Sequence, residues 1–186
     1  MLHTRRTALL VSAVVSIALL FALSACSVQK EKEGDNENVK IQTPMGALNV
    51  ETNADPKDAG IALYPDAKPS PKSEGDHNSA NVNIASSLFG LKVVALEYVS
   101  DDSPEKVTEF YKKELAKYGN VLDCDNGVRE NGDQLACSDK PRHHDNKREL
   151  VVGTKQRQHL VSIKPNGKGT KFALVYVQVH GEEGTL

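Results

Sequence analysis

Side chains of metal-ligand type are concentrated at His143, His144 and Asp145. Adjacent residues of an extended chain point to opposite sides, so the two imidazoles do not readily reach one ion. The surrounding stretch 140–148 reads KPRHHDNKR, and its basic character also disfavours a cation. The sequence therefore predicts no metal site, and two interpretations stay open. The stretch is a solvated loop, or it is a candidate anion or partner contact that binds phosphate-bearing lipid or glycan. The residues of that candidate contact are Arg142, His143, His144, Lys147 and Arg148.

Serine nucleophiles have no convincing pattern in this chain. The G-x-S-x-G motif is absent, and Ser103 with Lys106 matches only the spacing of S-x-x-K. No S-D-N or K-T-G accompanies that pair, and Ser103 is better explained as the start of a helix, followed by Pro104 at the first helical position. We therefore expect no catalytic residue and no cofactor.

The first 25 residues have the composition of an export signal. Arg5 and Arg6 precede a nearly continuous apolar run over residues 8–22, and small residues follow. This order of charged, apolar and small residues is that of a secretory signal. The apolar run is short for a membrane span, which needs roughly 20 residues.

The segment Leu23-Ser24-Ala25-Cys26 resembles the lipobox of bacterial prolipoproteins, which has leucine at −3, small residues at −2 and −1, and cysteine at +1. The resemblance covers the first 26 residues. It implies that residues 1–25 are a signal peptide, that Cys26 receives a diacylglyceryl thioether, and that the new amino terminus is usually acylated. Several acyl chains are sufficient for stable membrane anchoring. By the same resemblance, Ser27 favours the periplasmic face of the outer membrane in a cell with two membranes.

Once Cys26 is lipidated, Cys124 and Cys137 remain, in a chain exported to an oxidising space. Their spacing is not C-x-x-C, and no thioredoxin-like pattern surrounds them. The enclosed stretch 125–136 contains Gly127 and Asn131-Gly132, which suit a turn between two short strands. We expect a structural disulfide that stabilises the fold by roughly 3 kcal/mol in the chain-entropy model.

Composition bounds the partners and the domain organisation. Without residues 1–25 the side chains include 21 basic and 25 acidic groups, a balance that argues against a nucleic-acid partner.

Residues 26–38 are expected to be the lipidated cysteine and a flexible tether, because SVQKEKEGDNEN has one apolar residue. Such a tether would reach roughly 20 Å. Residues 39–181 are expected to form a single domain, followed by a disordered tail at 182–186.

Alternation of apolar and polar residues predicts mostly short strands in adjacent hairpins. Two hairpins are expected over 39–52 and 81–99, with turns at Pro44-Met45-Gly46 and Phe89-Gly90. Later strands are expected near 121–137, 150–163 and 172–179. One helix is predicted over 103–118, where apolar side chains recur at helical spacing and Gly119 follows. The expected fold class is α+β, a largely antiparallel sheet of short hairpin-connected strands with one amphipathic helix packed on it.

A second resemblance covers roughly residues 60–120. Tyr64-Pro65-Asp66-Ala67, a strand pair, and then Ser103-Pro104-Glu105-Lys106-Val107 with Phe110-Tyr111 resemble a module of exported bacterial proteins of unknown function. Those proteins carry Tyr-Pro-Gly-Ala, so Asp66 stands where they have glycine. The resemblance implies an exported module and no particular activity.

Three functions are compatible with these observations. The first is a non-catalytic binding or assembly module of the cell envelope, which recognises an envelope protein or a glycan through loops 65–79 and 138–148. The second is a structural lipoprotein without a specific ligand. The third is an enzyme acting on envelope polymers through no recognisable motif. In all three the chain contacts the membrane through its N-terminal lipid.

Overall fold

The computed structural model describes residues 26–33, 36–71, 77–140 and 146–181. The described residues form mostly strands, with a small helical share. The strands are β1 Ser27–Glu33, β2 Asn36–Thr43, β3 Gly46–Glu51, β4 Lys68–Pro69, β5 Ser79–Ser86, β6 Gly90–Ser100, β7 Leu122–Cys124, β8 Val128–Asn131, β9 Gln134–Cys137, β10 Arg148–Gly153, β11 Arg157–Asn166 and β12 Gly169–His180. The helices are α1 Pro56–Ala59 and α2 Pro104–Leu115, which continues into a 3₁₀ turn, Ala116–Tyr118.

The main sheet is antiparallel throughout its described strands. Its order is β1-β2-β3-β5-β6-β12-β11-β10-β7, and the short β4 pairs with β6. Consecutive strands are neighbours at most positions, as expected for a sheet built from hairpins. Strands β8 and β9 form a separate hairpin. The long strands β6 and β12 lie at the centre, where their near-continuous apolar sequences are accommodated.

Helix α2 covers one face of the C-terminal half of the sheet. Pro104 occupies its first turn, and Ser103 is at the N-cap position without making a side-chain cap hydrogen bond. Its apolar stripe buries Val107, Tyr111 and Leu115. These residues pack on side chains of β6, β10, β11 and β12 to form the core, whose buried sheet residues are Val94, Leu96, Tyr98, Leu150, Val152, Val161, Ile163, Phe172 and Leu174.

Hydrogen bonds hold the segment between α1 and β4 against this core. The Tyr111 hydroxyl accepts from the backbone N–H of Tyr64 at 3.0 Å, and the Tyr64 hydroxyl donates to Asp102 at 2.9 Å. Tyr64-Pro65-Asp66-Ala67 forms a turn in which the Ala67 N–H donates to the Tyr64 carbonyl at 3.2 Å. Asp66 has φ +58°, so the aspartate adopts the left-handed conformation that glycine provides most readily.

Several sequence expectations are confirmed. The chain pairs β2 with β3 and β5 with β6 as hairpins, and the sheet is largely antiparallel. The finer expectation of a single helix is not confirmed, because α1 and the 3₁₀ turn are also present. The disordered tail expected at 182–186 lies outside the described residues, as does the signal peptide expected at 1–25.

The expected tether is wrong for the residues that the structure describes. Residues 27–33 form β1, which pairs with β2 from Ser27 opposite Gln42 to Glu33 opposite Asn36. A polar composition shows that a segment can bury little apolar surface, but β1 also pairs its backbone with β2, a strand already held in the sheet. Charged side chains are common on such edges, because they discourage pairing with other molecules.

Candidate functional site

Cys26, the candidate lipidation site, lies at one end of the sheet. Its side chain is exposed and its thiol is free. It directly precedes Ser27, which pairs with Gln42 close to the β2–β3 turn. A lipid on Cys26 would therefore be joined to a sheet strand with no intervening spacer. Within the described part of the chain, no helix has the length and apolar character needed to cross a membrane.

Two hairpin turns lie at the same end of the sheet as Cys26. Thr43 pairs with Gly46 across the first turn, and Gly46 pairs with Ser86, which begins the turn between β5 and β6. Exposed apolar side chains occupy both turns: Met45 is 83% exposed, Leu88 85% and Phe89 44%. We call Cys26, Met45, Leu88 and Phe89, with the two turns, the anchor end of the sheet.

The two remaining cysteines are bonded as expected. Cys124 of β7 and Cys137 of β9 form a disulfide. The enclosed residues contain β8 as well as the turn, so the disulfide fastens the β8–β9 hairpin to the edge of the main sheet. The hairpin is also held by the Val128 N–H, which donates to Glu149 at 3.1 Å, and by a bridge between Gln134 and Thr154. This arrangement is structural.

The candidate anion contact is described only at Lys147 and Arg148, since Arg142, His143 and His144 lie outside the described residues. Arg148 forms a bidentate ion pair with Asp123, with N–O distances of 2.5 and 2.6 Å. Lys147 lies 2.9 Å from the carboxylate of Glu149. The Arg148 guanidinium, together with Lys112, lowers the pKa of Asp123. An anion would thus have to compete with two carboxylates for these cations.

A cleft of about 460 Å³ lies beside this ion pair, lined by Glu105, Asn126, Asn146, Lys147 and Arg148 among others. Its lining contains positive and negative side chains together with amides. Part of the lining comes from the N-terminal end of α2 and part from the sheet. Among the described residues no cluster of three or more histidine, cysteine or carboxylate side chains is arranged to hold a metal ion.

The sheet face opposite α2, which we call the open face, carries many apolar side chains. Cross-strand pairing aligns its apolar side chains in two continuous rows that run from β1 or β2 to β12. The rows are Val28, Ile41, Leu48, Ile84, Leu91 and Val179, and Val39, Val50, Val82, Val93 and Val177. All but the exposed Val28 are half-buried, and none belongs to the core beneath α2. No helix among the described residues covers these rows.

The other face of the same strands is polar. Its register aligns Lys40, Asn49, Asn83, Lys92 and Gln178 across five strands. The N-terminal half of the sheet is therefore amphipathic, with aliphatic side chains on one side and amides and amines on the other. Farther from the anchor end the open face also becomes polar, where Lys171 and Glu97 form an ion pair at 2.5 Å.

A ring stack lies where the polar face meets the helix layer. The rings of Tyr118 and His159 stack with centroids 3.8 Å apart, and Tyr176 lies 4.9 Å beyond His159. The Tyr118 hydroxyl donates to the Gly60 carbonyl. His159 is 8% exposed, and burial lowers its pKa, with help from the charges of Lys117 and Arg157. The described contacts of the His159 ring are stacking contacts.

Comparison with known proteins gives no assignment: no family model, no curated protein and no solved structure matches this chain.

Sequence reasoning missed the open face and the anchor end. The individual alternating strands were predicted, but their alignment into rows depends on the strand order and register. A local signal did exist for the anchor end, because Met45, Leu88 and Phe89 occupy turn positions where small polar residues are usual.

Proposed function

We propose that this chain is a lipid-anchored protein of the cell envelope, and that its domain is a non-catalytic assembly module that docks an envelope protein on the open face. The lipobox resemblance and the exposed position of Cys26 support the anchoring. The Cys124–Cys137 disulfide supports an oxidising location.

The observation that carries the docking proposal is the pair of apolar rows on the open face. Monomeric proteins rarely leave contiguous apolar patches larger than a few hundred Å² in water, and larger ones mark interaction sites. Eleven aliphatic side chains from six adjacent strands make up the rows. They offer no hydrogen-bonding groups, so they favour a protein with an apolar surface over a glycan.

The anchoring is tested by mass spectrometry of the mature amino terminus. We expect a chain that begins at Cys26 and carries diacylglyceryl mass, recovered with the membrane fraction. A Cys26→Ser variant should lose both the cut and the added mass. Recovery of an uncut, unmodified wild-type chain from the cytosol would overturn the proposed location.

The docking is tested by photocrosslinking in native cells with matched positions on one strand. Val82 lies on the open face, and its neighbour Asn83 lies on the polar face of β5. A photoreactive residue at Val82 should give a defined adduct with one envelope protein, whereas the same residue at Asn83 should not. A Val93→Ser substitution, opposite Val82, should weaken that adduct at least severalfold. Equal adducts from both faces, or none from Val82, would contradict docking on the open face.

A further inference from the structure

The anchor end combines exposed apolar side chains with the attachment point of the proposed lipid. Ser27 pairs with Gln42, the β2–β3 turn follows at once, and Gly46 pairs with Ser86 at the next turn. Neighbouring strands are about 4.8 Å apart, so both turns lie within roughly 20 Å of Cys26 along one end of the sheet. Because no spacer separates Cys26 from β1, acyl chains in a bilayer would hold this end at the membrane surface.

Several backbone groups of both turns are already hydrogen-bonded within the turns. The Met45 N–H donates to the Thr43 hydroxyl at 3.3 Å. The N–H groups of Leu88 and Phe89 donate to the Ser86 hydroxyl at 3.3 and 2.9 Å, and the Ser86 N–H donates to the Phe89 carbonyl at 2.8 Å. A backbone group that enters an apolar medium without a partner is costly, so these hydroxyls remove a main obstacle to burial of the turns in lipid.

The described residues of the two turns and of the strand ends that flank them carry no fixed charge. The stretches 26–29, 41–49 and 78–91 contain no lysine, arginine, aspartate or glutamate. The nearest titratable side chain on the adjoining strand is His180, opposite Gly90. Burial of these two turns would therefore desolvate no ion pair.

We propose that the β2–β3 and β5–β6 turns insert Met45, Leu88 and Phe89 into the interfacial region of the bilayer that holds the Cys26 lipid. The inserted side chains and the acyl chains would together set the strands upright on the membrane, so that the open face stays accessible from the side. This inference rests on the proposed lipid anchoring. It concerns a lipid surface, and a protein contact at the same turns is an alternative that the experiment below decides.

The experiment uses the processed, lipidated protein purified from its own membrane and reconstituted into phosphatidylcholine vesicles with nitroxide-labelled headgroups. A fluorescent residue is placed at Ser87, beside the exposed Leu88, or at Lys168 in the β11–β12 turn at the opposite end of the sheet. We expect strong quenching at Ser87 and little at Lys168. Quenching should be unchanged by 0.5 M salt or by addition of phosphatidylglycerol, because the inserted residues carry no charge.

Substitution identifies the side chains responsible. Met45→Ser with Leu88→Ser should lower quenching at Ser87 at least twofold, and both residues are exposed enough for the fold to tolerate the change. Leu63→Ser is the matched control, since Leu63 is an exposed leucine outside the anchor end, 37% exposed; it should leave quenching unchanged. Circular dichroism checks that each variant is folded.

The outcomes separate this inference from the anchoring on which it rests. Membrane-bound protein with diacylglyceryl mass but without quenching at Ser87 would overturn the insertion and leave the anchoring intact, and it would favour a protein contact at the turns. Quenching that requires anionic lipid would also overturn it. Absence of lipid mass on Cys26 would instead overturn the anchoring itself.

Discussion

At the scale of single residues, Asp66 adopts a backbone conformation that glycine provides most readily. Pro65 at the second position and a positive φ at the third, +58° at Asp66, are typical of a type II turn. Aspartate tolerates the left-handed region better than most residues, but a Cβ there still carries a steric cost. A glycine at this position would meet the same requirement without that cost.

Substitutions at Asp66 should therefore follow backbone preference. We expect Asp66→Gly to match or slightly exceed the wild-type stability, and Asp66→Ala to fall about 1 kcal/mol below Asp66→Gly. Urea unfolding of the three proteins measures the order. Equal stability of the alanine and glycine variants would show that the turn does not depend on the left-handed conformation.

His159 provides a pH dependence that can be assigned to one residue. Burial between Tyr118 and Tyr176 disfavours its charged form, and Lys117 and Arg157 add repulsion, so its pKa in the folded chain lies below the ordinary 6.5. Below pH 6.5 the unfolded chain binds a proton that the folded chain does not. The contribution of His159 to the free energy of unfolding is therefore fully present above pH 6.5, and it decreases as the pH falls toward the pKa of His159 in the folded chain.

A His159→Phe variant should remove that dependence while it keeps a ring in the stack. Between pH 7.5 and 5 the wild-type free energy of unfolding should decrease more steeply than that of the variant. The additional slope is at most about 1.4 kcal/mol per pH unit, the value for one proton. Carboxylates and the other histidines are common to both proteins and cancel in the comparison. Parallel curves would mean that His159 is not buried as a neutral ring.

At the scale of elements, the strands and the helix that were predicted correctly are those with a local signal. Alternation in β2, β3, β5 and β6 and the helical spacing in α2 can be read from neighbouring residues alone. Strand β1 could not be found this way, because its sequence is polar and its pairing with β2 provides the stabilisation. When a strand depends on its partner strand for stability, its own composition gives little indication that the strand is present.

The β8–β9 hairpin, unlike β1, is held by a covalent bond between residues that can be recognised in the sequence. Its strands have four residues each, and an isolated hairpin of that length is at best marginally stable in water. The Cys124–Cys137 disulfide closes the loop that contains it and fastens it to β7. The cysteine spacing and Asn131-Gly132 predicted a disulfide and a turn here, but strand β8 was not predicted, and the contact of the hairpin with β10 through Val128 and Glu149 depends on the sheet order.

At the scale of the whole molecule, the two proposed contact surfaces arise from register. Residues far apart in sequence, such as Val28 and Val179, share one row only because six strands align. Cys26 lies beside the exposed turns for the same reason. The sequence predicted the disulfide and the alternating strands, whereas the rows also depend on the order of the strands and on their register, since a one-residue shift in a pairing would move a strand's side chains to the other face.

The direct link between Cys26 and β1 leads to a prediction about orientation. A flexible insertion of 12 Gly and Ser residues after Ser27 keeps the processing site and adds roughly 20 Å of reach. If the turns bind the bilayer themselves, the insertion alone should leave the quenching at Ser87 largely intact, because the tethered turns remain at high effective concentration near the membrane.

The same insertion combined with Met45→Ser and Leu88→Ser should lower the quenching at Ser87 to the level at Lys168. In that variant neither the short link to Cys26 nor the apolar side chains of the turns hold the anchor end at the membrane. The effect of the combination should exceed the sum of the separate effects, which is the signature of two contacts that support one orientation. If the insertion alone abolishes quenching, the short link is the only cause of proximity and the turns do not bind lipid. If quenching at Lys168 rises to match that at Ser87, the sheet lies flat on its open face. That arrangement would bring the charged side chains of Lys171 and Glu97 close to the lipid, and their desolvation disfavours it.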